Sequence, residues 1–313
     1  KAQEERLEDM TPCIACLQGC VANMYAGNPV CCLTNPFLGH EAEPLEKAEE
    51  PKKVMVIGGG VAGLSAAFIA KERGHEVTLY EAGDVLGGNM RLAAYPPGKG
   101  DITNMIRSYI HRCQKDGVKI VMNCEVTPEL IKEEKPDSVI IATGSKTLIL
   151  PIEGIDNPAI IHGSDLLDGK RAAGKKVLVV GGGMVGCETA AFLGEQEHDV
   201  TVIEFRDTVG ADVIHEHRVY LMKDFEDYGI KEITGAKVCK FYEDGVEYET
   251  ADGVRHESRG YDSVILSMGF RNYNPLEEKI KDLVPETHVI GDAIRARRAL
   301  DATKEAYEVA SRI

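Results

Sequence analysis

Val54-Met55-Val56-Ile57-Gly58-Gly59-Gly60-Val61-Ala62-Gly63 recurs later in the chain as Val177-Leu178-Val179-Val180-Gly181-Gly182-Gly183-Met184-Val185-Gly186. Each copy opens with four apolar residues of strand type and continues into a helical pattern, to about Arg73 in the first and about Gln196 in the second. A second strand follows each helix, Val77 to Tyr80 and Val200 to Ile203, and ends on an acid, Glu81 and Glu204. In both copies the acid lies 23 positions after the first glycine (58 to 81, 181 to 204). A single G-x-G-x-x-G is weak evidence, but two copies in the same strand-loop-helix context with the acid at one offset specify two dinucleotide-binding units. The fold class expected is therefore α/β, with two Rossmann-like domains. The first glycine of each loop (Gly58, Gly181) permits the tight turn. The second (Gly60, Gly183) lets a pyrophosphate approach the backbone, and the third (Gly63, Gly186) lets helix and strand pack closely. The pyrophosphate then rests on N–H groups that the helix terminus leaves free. Glu81 and Glu204 are expected to accept hydrogen bonds from ribose hydroxyls. At Glu204 a carboxylate also repels the extra phosphate of NADP and favours NAD, although Arg206 two residues on is either a solvated charge or a phosphate partner.

Outward from these loops, Asp137 to Thr143 reads as a buried strand closing on Ala142-Thr143-Gly144, and Asp262 to Gly269 repeats that ending. A last strand runs into Gly291-Asp292 ahead of a helix from about Ala299. An aspartate there suits a ribityl hydroxyl, with the helix terminus toward a flavin. The expected division is a segment 1–48, an FAD domain over 49–150 and 263–313, and an NAD(H) domain over 151–262 inserted into it.

Five of the nine cysteines fall in the first 32 residues, and four of them have the spacing Cys13-x2-Cys16-x3-Cys20-x11-Cys32. Structural zinc usually takes two Cys-x-x-Cys knuckles. Three thiols from one turn and a fourth from a later loop better suit a [4Fe-4S] cluster. Spacing alone does not separate Cys31 from Cys32 as the fourth ligand. A disulfide framework fits poorly, because Cys113, Cys124, Cys187 and Cys239 are scattered and a chain of 313 residues needs no staples.

The net charge of −15 argues against nucleic acid and anionic membrane as partners, and no apolar run reaches membrane-span length. Reduced cysteines without a targeting signal point to the cytoplasm. The start at Lys1 in the polar run KAQEERLEDM is expected of a cut inside a longer polypeptide. Self-association is left open. Among the histidines, His40 follows the cysteine segment and either packs on it or lies in a surface loop; His111, His198, His215 and His217 receive no role.

The runs Thr11-Pro12-Cys13-Ile14-Ala15-Cys16-Leu17-Gln18-Gly19-Cys20, Cys32-Leu33-Thr34-Asn35-Pro36, Gly87-Gly88-Asn89-Met90-Arg91-Leu92-Ala93 and Pro96-Pro97-Gly98-Lys99 together resemble a known family. It is that of the NADH:flavin oxidoreductases related to old yellow enzyme, which includes 2,4-dienoyl-CoA reductase, 2-enoate reductase and trimethylamine dehydrogenase. The resemblance covers essentially the whole chain and is to the C-terminal half of those proteins, in a glutathione-reductase-like layout. It implies Cys32 as the fourth cluster ligand beside Cys13, Cys16 and Cys20. It implies FAD contacts at Gly88, Asn89, Arg91, Val126, Ala142, Thr143, Gly144, Gly291 and Asp292, with Asn89 standing where the reductases commonly have glutamine. Glu188 and Gly269 join the NAD set, although an exposed helix carboxylate is the plainer reading of Glu188. In this family an N-terminal barrel carries FMN and the substrate acid and base, and these 313 residues hold no such barrel. The implied role is electron input: hydride from NADH to FAD, then single electrons through the cluster to FMN, for reduction of an activated C=C bond such as an enoate or enoyl-CoA. No catalytic residue for that last step is assigned.

Three rivals remain. A disulfide reductase needs a redox cysteine pair, and neither nucleotide unit has one; Cys187 reads as a small packing residue. The small subunit of glutamate synthase shares the layout with a more elaborate cysteine arrangement. A non-enzymatic module binding ADP or NAD beside a structural zinc is the third.

Overall fold

A computed structural model describes all residues from Lys1 to Ile313. The chain divides into two compact units: Lys1–Ala94 with Asp101–Lys146 and Arg271–Ile313, and Tyr95–Gly100 with Thr147–Phe270.

In the first unit the apolar run before the first glycine loop forms strand Lys53–Ile57, buried from Val54 onward, at the centre of a five-stranded parallel sheet. Across the sheet the order is Glu286–Val289, Ser138–Ile141, Lys53–Ile57, Glu76–Tyr80 and Lys119–Val121. Strands apolar on both faces belong in a sheet covered on both sides. Helix Val61–Glu72 supplies one cover and is itself buried from Val61 through Ala70, packed beneath the C-terminal helix Ala299–Ala310. Helix Ile102–Lys115 also packs on it and buries Met105 and Tyr109.

The second unit repeats this plan. Its parallel sheet runs Ile161–His162, Ser263–Leu266, Lys176–Val180, Asp199–Ile203 and Lys231–Ile233. A shift of 123 residues carries the register Val54↔Val77 and Ile57↔Tyr80 onto Val177↔Val200 and Val180↔Ile203. An antiparallel meander, Lys237–Tyr242, Gly245–Glu249 and Arg255–Ser258, completes the unit.

Two expected boundaries need correction. Ser263–Leu266 was expected in the FAD domain but pairs with Lys176–Val180 in the second sheet, so the first unit resumes only at Arg271. Its apolar residues Val264 to Leu266 are equally at home in either sheet, and only hydrogen-bond pairing decides. Nor is 1–48 a separate body. Ile14 and Leu33 are buried in the first unit's core, and the buried Tyr109 hydroxyl donates to the Leu33 carbonyl at 2.8 Å. A short cysteine-rich segment has too little apolar surface to fold alone and borrows the neighbouring core. No helix is long and apolar enough to cross a membrane.

Candidate nucleotide and thiol sites

Both glycine loops are built by the same steric rule. Gly58 and Gly181 hold φ of +108° and +106°, and a Cβ added there would lie 2.3 Å from the Ala142 carbonyl oxygen and 2.4 Å from that of Ser267. A Cβ at Gly63 or Gly186 would stand 1.9 or 1.8 Å from the carbonyl oxygen of the first glycine, so each helix can start against its strand only without a side chain. The acids expected at the ribose are held beside the loops. Glu81 accepts from the Gly59 and Gly83 amides, each at 2.7 Å. Glu204 accepts from Gly182 at 2.5 Å and from the Arg206 amide at 2.9 Å. Arg206 itself is exposed.

In the first unit the residues of the expected FAD set converge only in part. Asp292 accepts from the Ser145 hydroxyl at 2.9 Å and from the Arg297 amide at 3.1 Å, while the Asn89 side-chain amide donates to that hydroxyl at 3.4 Å. Asn89, Ser145 and Asp292 thus form one polar group from three distant stretches of sequence. Gly88 and Arg91 flank Asn89 at the short helix Asn89–Leu92. Thr143 donates to the Tyr273 carbonyl, and Gly144 and Gly291 take positive φ, the Gly291 amide donating to Glu305 at 2.7 Å. Val126 is different: it is 5% exposed and sits in the core cluster with Tyr80 and Ile131, so its side chain is not a ligand group. Ser145 escaped sequence reading, although a hydroxyl directly after a strand-then-glycine ending was a usable signal.

In the second unit Glu188 departs from the exposed carboxylate that its helix position suggested. It is 7% exposed and paired with Lys99 of the Tyr95–Gly100 stretch. Burial raises its pKa above the ordinary carboxylate range, and the Lys99 ammonium opposes that shift. Lys99→Met is expected to cost roughly 2–3 kcal/mol, below the span for a fully buried pair because the Lys99 side chain keeps 27% exposure. A raised carboxyl pKa means that the native chain holds a proton that the unfolded chain has already released. Stability is therefore lost as pH rises past the unfolded pKa, and the deficit of the variant in urea unfolding should be larger at about pH 8 than at about pH 5. Gly269, also expected here, has φ +101° with open space around it.

Burial pushes the Cys16 thiol's pKa up, the Gln18 backbone opposes that shift, and the charges of the Cys32, Cys20 and Cys13 thiols add to it. Ala15 and Leu17 take left-handed φ of 51° and 56°, and the Ala15 amide donates to the Cys13 sulfur at 3.4 Å. Cys31 faces elsewhere: its sulfur accepts from the Asn23 amide at 3.3 Å and lies against Gly19. Cys32 meets the Thr34 hydroxyl at 3.3 Å. No group of three thiols, imidazoles or carboxylates closes to the shell that a single metal ion needs.

The other reactive groups are structural. Burial pushes the Cys187 thiol up to about 12, and it donates to the Gly182 carbonyl, consistent with packing. His111 pairs with Asp9 at 3.0 Å, and His40 stacks on Tyr307 with ring centroids 4.2 Å apart. A cavity of about 500 Å³, lined by Asp9, Lys71, Glu72, His111 and Arg112 among others, includes none of the expected ligand residues.

The family model described as pyridine nucleotide-disulphide oxidoreductase matches residues 52–290. A cinnamate reductase of Clostridium sporogenes is 34% identical over all of this chain and 47% of its own length. A metal reductase of Desulforamulus reducens is 32% identical over 99% of this chain and 51% of its own. The solved complex of a 2-naphthoyl-CoA reductase superposes with a TM-score of 0.95 at 33% identity, over the whole of this chain and 48% of that one. The chain spans about half the length of the curated relatives it matches.

Proposed function

The chain belongs to the pyridine nucleotide-disulphide oxidoreductase family, and from that membership we propose that it is the electron-input half of an NADH-dependent flavin and iron–sulfur oxidoreductase. The observation that carries this reading is the pair of equivalent glycine loops, each with a carboxylate bonded to its amides, on a chain whose first unit also holds Cys13, Cys16, Cys20 and Cys32. The first unit would hold FAD, with the pyrophosphate at Gly58–Gly63, a ribose on Glu81 and the ribityl chain at Asn89, Ser145 and Asp292. The second would hold NADH at Gly181–Gly186 and Glu204. Cys13, Cys16, Cys20 and Cys32 would hold a [4Fe-4S] cluster. When bound, these groups supply the exchange between hydride and single electrons. The protein's own part is to fix the nucleotides by backbone amides and carboxylates and to keep the thiols gathered. The remaining half of a full-length relative would carry FMN and the substrate site. The names of the relatives, cinnamate and 2-naphthoyl-CoA reductases, support an activated C=C bond or conjugated ring as the final acceptor.

The FAD-loaded chain should oxidise NADH with an artificial electron acceptor and leave an enoate or enoyl thioester unreduced. Glu204→Ala should raise KM for NADH by roughly tenfold, the worth of a charged hydrogen bond, and narrow the preference over NADPH. Preference for NADPH in the unmodified chain, or turnover of an enoate by it, would contradict the assignment.

A further inference from the structure

The internal repeat extends past the acids and then diverges at one chemically decisive place. In the first unit the Gly87 amide donates to the Gly59 carbonyl at 2.8 Å; in the second the Gly210 amide donates to the Gly182 carbonyl at 2.7 Å. The shift of 123 residues that relates the loops relates these pairs too, and it carries Asn89 onto Asp212. The two side chains do different things. Asn89 is neutral and turns to Ser145. Asp212 lays its carboxylate on the start of helix Met184–Glu195, accepting from the Met184 amide at 2.8 Å. The space over the second glycine records the consequence. A Cβ added at Gly60 meets nothing within 4 Å, whereas one added at Gly183 would lie 3.4 and 3.6 Å from the two Asp212 carboxylate oxygens.

We infer that Asp212 occupies the dinucleotide phosphate seat of the second unit, as an internal anion that NAD(H) must displace. The inference rests on the assignment of NAD(H) to that unit. A pyrophosphate bound at this loop takes its hydrogen bonds from the amides at the helix start and gains from the positive end of the helix dipole. A carboxylate on the Met184 amide draws on the same amide and the same dipole. If it stays nearby after displacement, it repels the incoming phosphates. Either way it lowers affinity for the dinucleotide. Asp212 is exposed, so moving it aside uncovers no core. The carboxylate is thus a replaceable occupant rather than a plug. The first loop has no such occupant, and its cofactor is the one expected to stay bound. The contrast matches a unit whose nucleotide arrives and leaves in each turnover.

The test is calorimetric titration of ADP-ribose into the FAD-loaded chain and its Asp212→Asn, Asp212→Ala and Glu204→Ala variants, with KM for NADH measured in parallel. ADP-ribose carries the riboses and pyrophosphate but no nicotinamide, so it reports on the phosphate seat and the Glu204 ribose contact without the nicotinamide pocket. Both Asp212 variants should bind it more tightly, by roughly three- to tenfold, and should show a lower KM for NADH. The asparagine keeps an acceptor for the Met184 amide and removes only the charge, so a gain with Asp212→Asn isolates electrostatics. A purely structural helix cap would act in the opposite direction, since its loss would lower the melting temperature and weaken binding. Unchanged or weaker binding by both Asp212 variants, at normal flavin content and melting temperature, while Glu204→Ala weakens it, overturns the inference alone. If Glu204→Ala also leaves ADP-ribose binding untouched, the assignment of NAD(H) to this unit fails and the inference falls with it.

Discussion

Gly63→Ala is expected to yield a chain that purifies with little or no flavin. Alanine is the better helix former by about 1 kcal/mol, so propensity alone predicts a gain. Sterics outweigh it. The new Cβ would stand 1.9 Å from the Gly58 carbonyl oxygen, which belongs to backbone held by the turn and has no rotamer through which to escape. The helix must move off the loop, at a cost of roughly 3 kcal/mol or more for overpacking at a rigid contact. That movement takes the helix amides away from the pyrophosphate position. FAD content, read from the ratio of flavin to protein absorbance, should fall roughly tenfold or more. Gly60→Ala is the informative partner. Its Cβ would meet no protein atom within 4 Å, so folding should be untouched and only the approach of a ligand obstructed. Normal flavin content in Gly63→Ala would show that the first loop is not the flavin seat.

Cys16→Ser and Cys32→Ser should each lose iron and sulfide while keeping FAD, and Cys31→Ser should keep all three. The Cys16 thiol feels the charge of the Cys32, Cys20 and Cys13 thiols. Cys31 is taken up by Asn23 and Gly19 instead. A serine hydroxyl is a poor substitute for a thiolate at iron, so one lost ligand should suffice. FAD should persist because its expected ligands lie at Gly58–Gly63, Glu81 and Asp292, in other stretches of the first unit. Iron and labile sulfide assays with a visible spectrum separate the outcomes. Full iron in Cys16→Ser would sink the ligand set, and loss of iron in Cys31→Ser would move the fourth ligand to the neighbouring thiol.

The two nucleotide units were legible because their signals are local. A tight turn that needs Gly58, and a helix start that admits no side chain at Gly63, leave marks within ten residues of sequence. The repeat at Gly181–Gly186 then removed coincidence as an explanation. Helix burial was harder to read. Glu188 looked exposed because its neighbours on the helix do not reveal that Lys99, 89 residues away, covers it. The strand Ser263–Leu266 was recognised as a strand and assigned to the wrong sheet, because a short strand buried on both faces carries no local preference between two parallel sheets of the same kind.

From sequence alone come the two dinucleotide folds, an acid beside each glycine loop and the clustering of cysteines near the start, all of them dictated by backbone sterics and short-range spacing. Tertiary structure alone decides which side chain reaches which empty place. It joins Asn89 to Ser145 and Ser145 to Asp292, buries Glu188 against Lys99, ties the Cys31 sulfur to Asn23 and lays Asp212 on the Met184 amide. Those contacts join residues distant in sequence, and their energies depend on charge and burial at the meeting point, which no local pattern encodes.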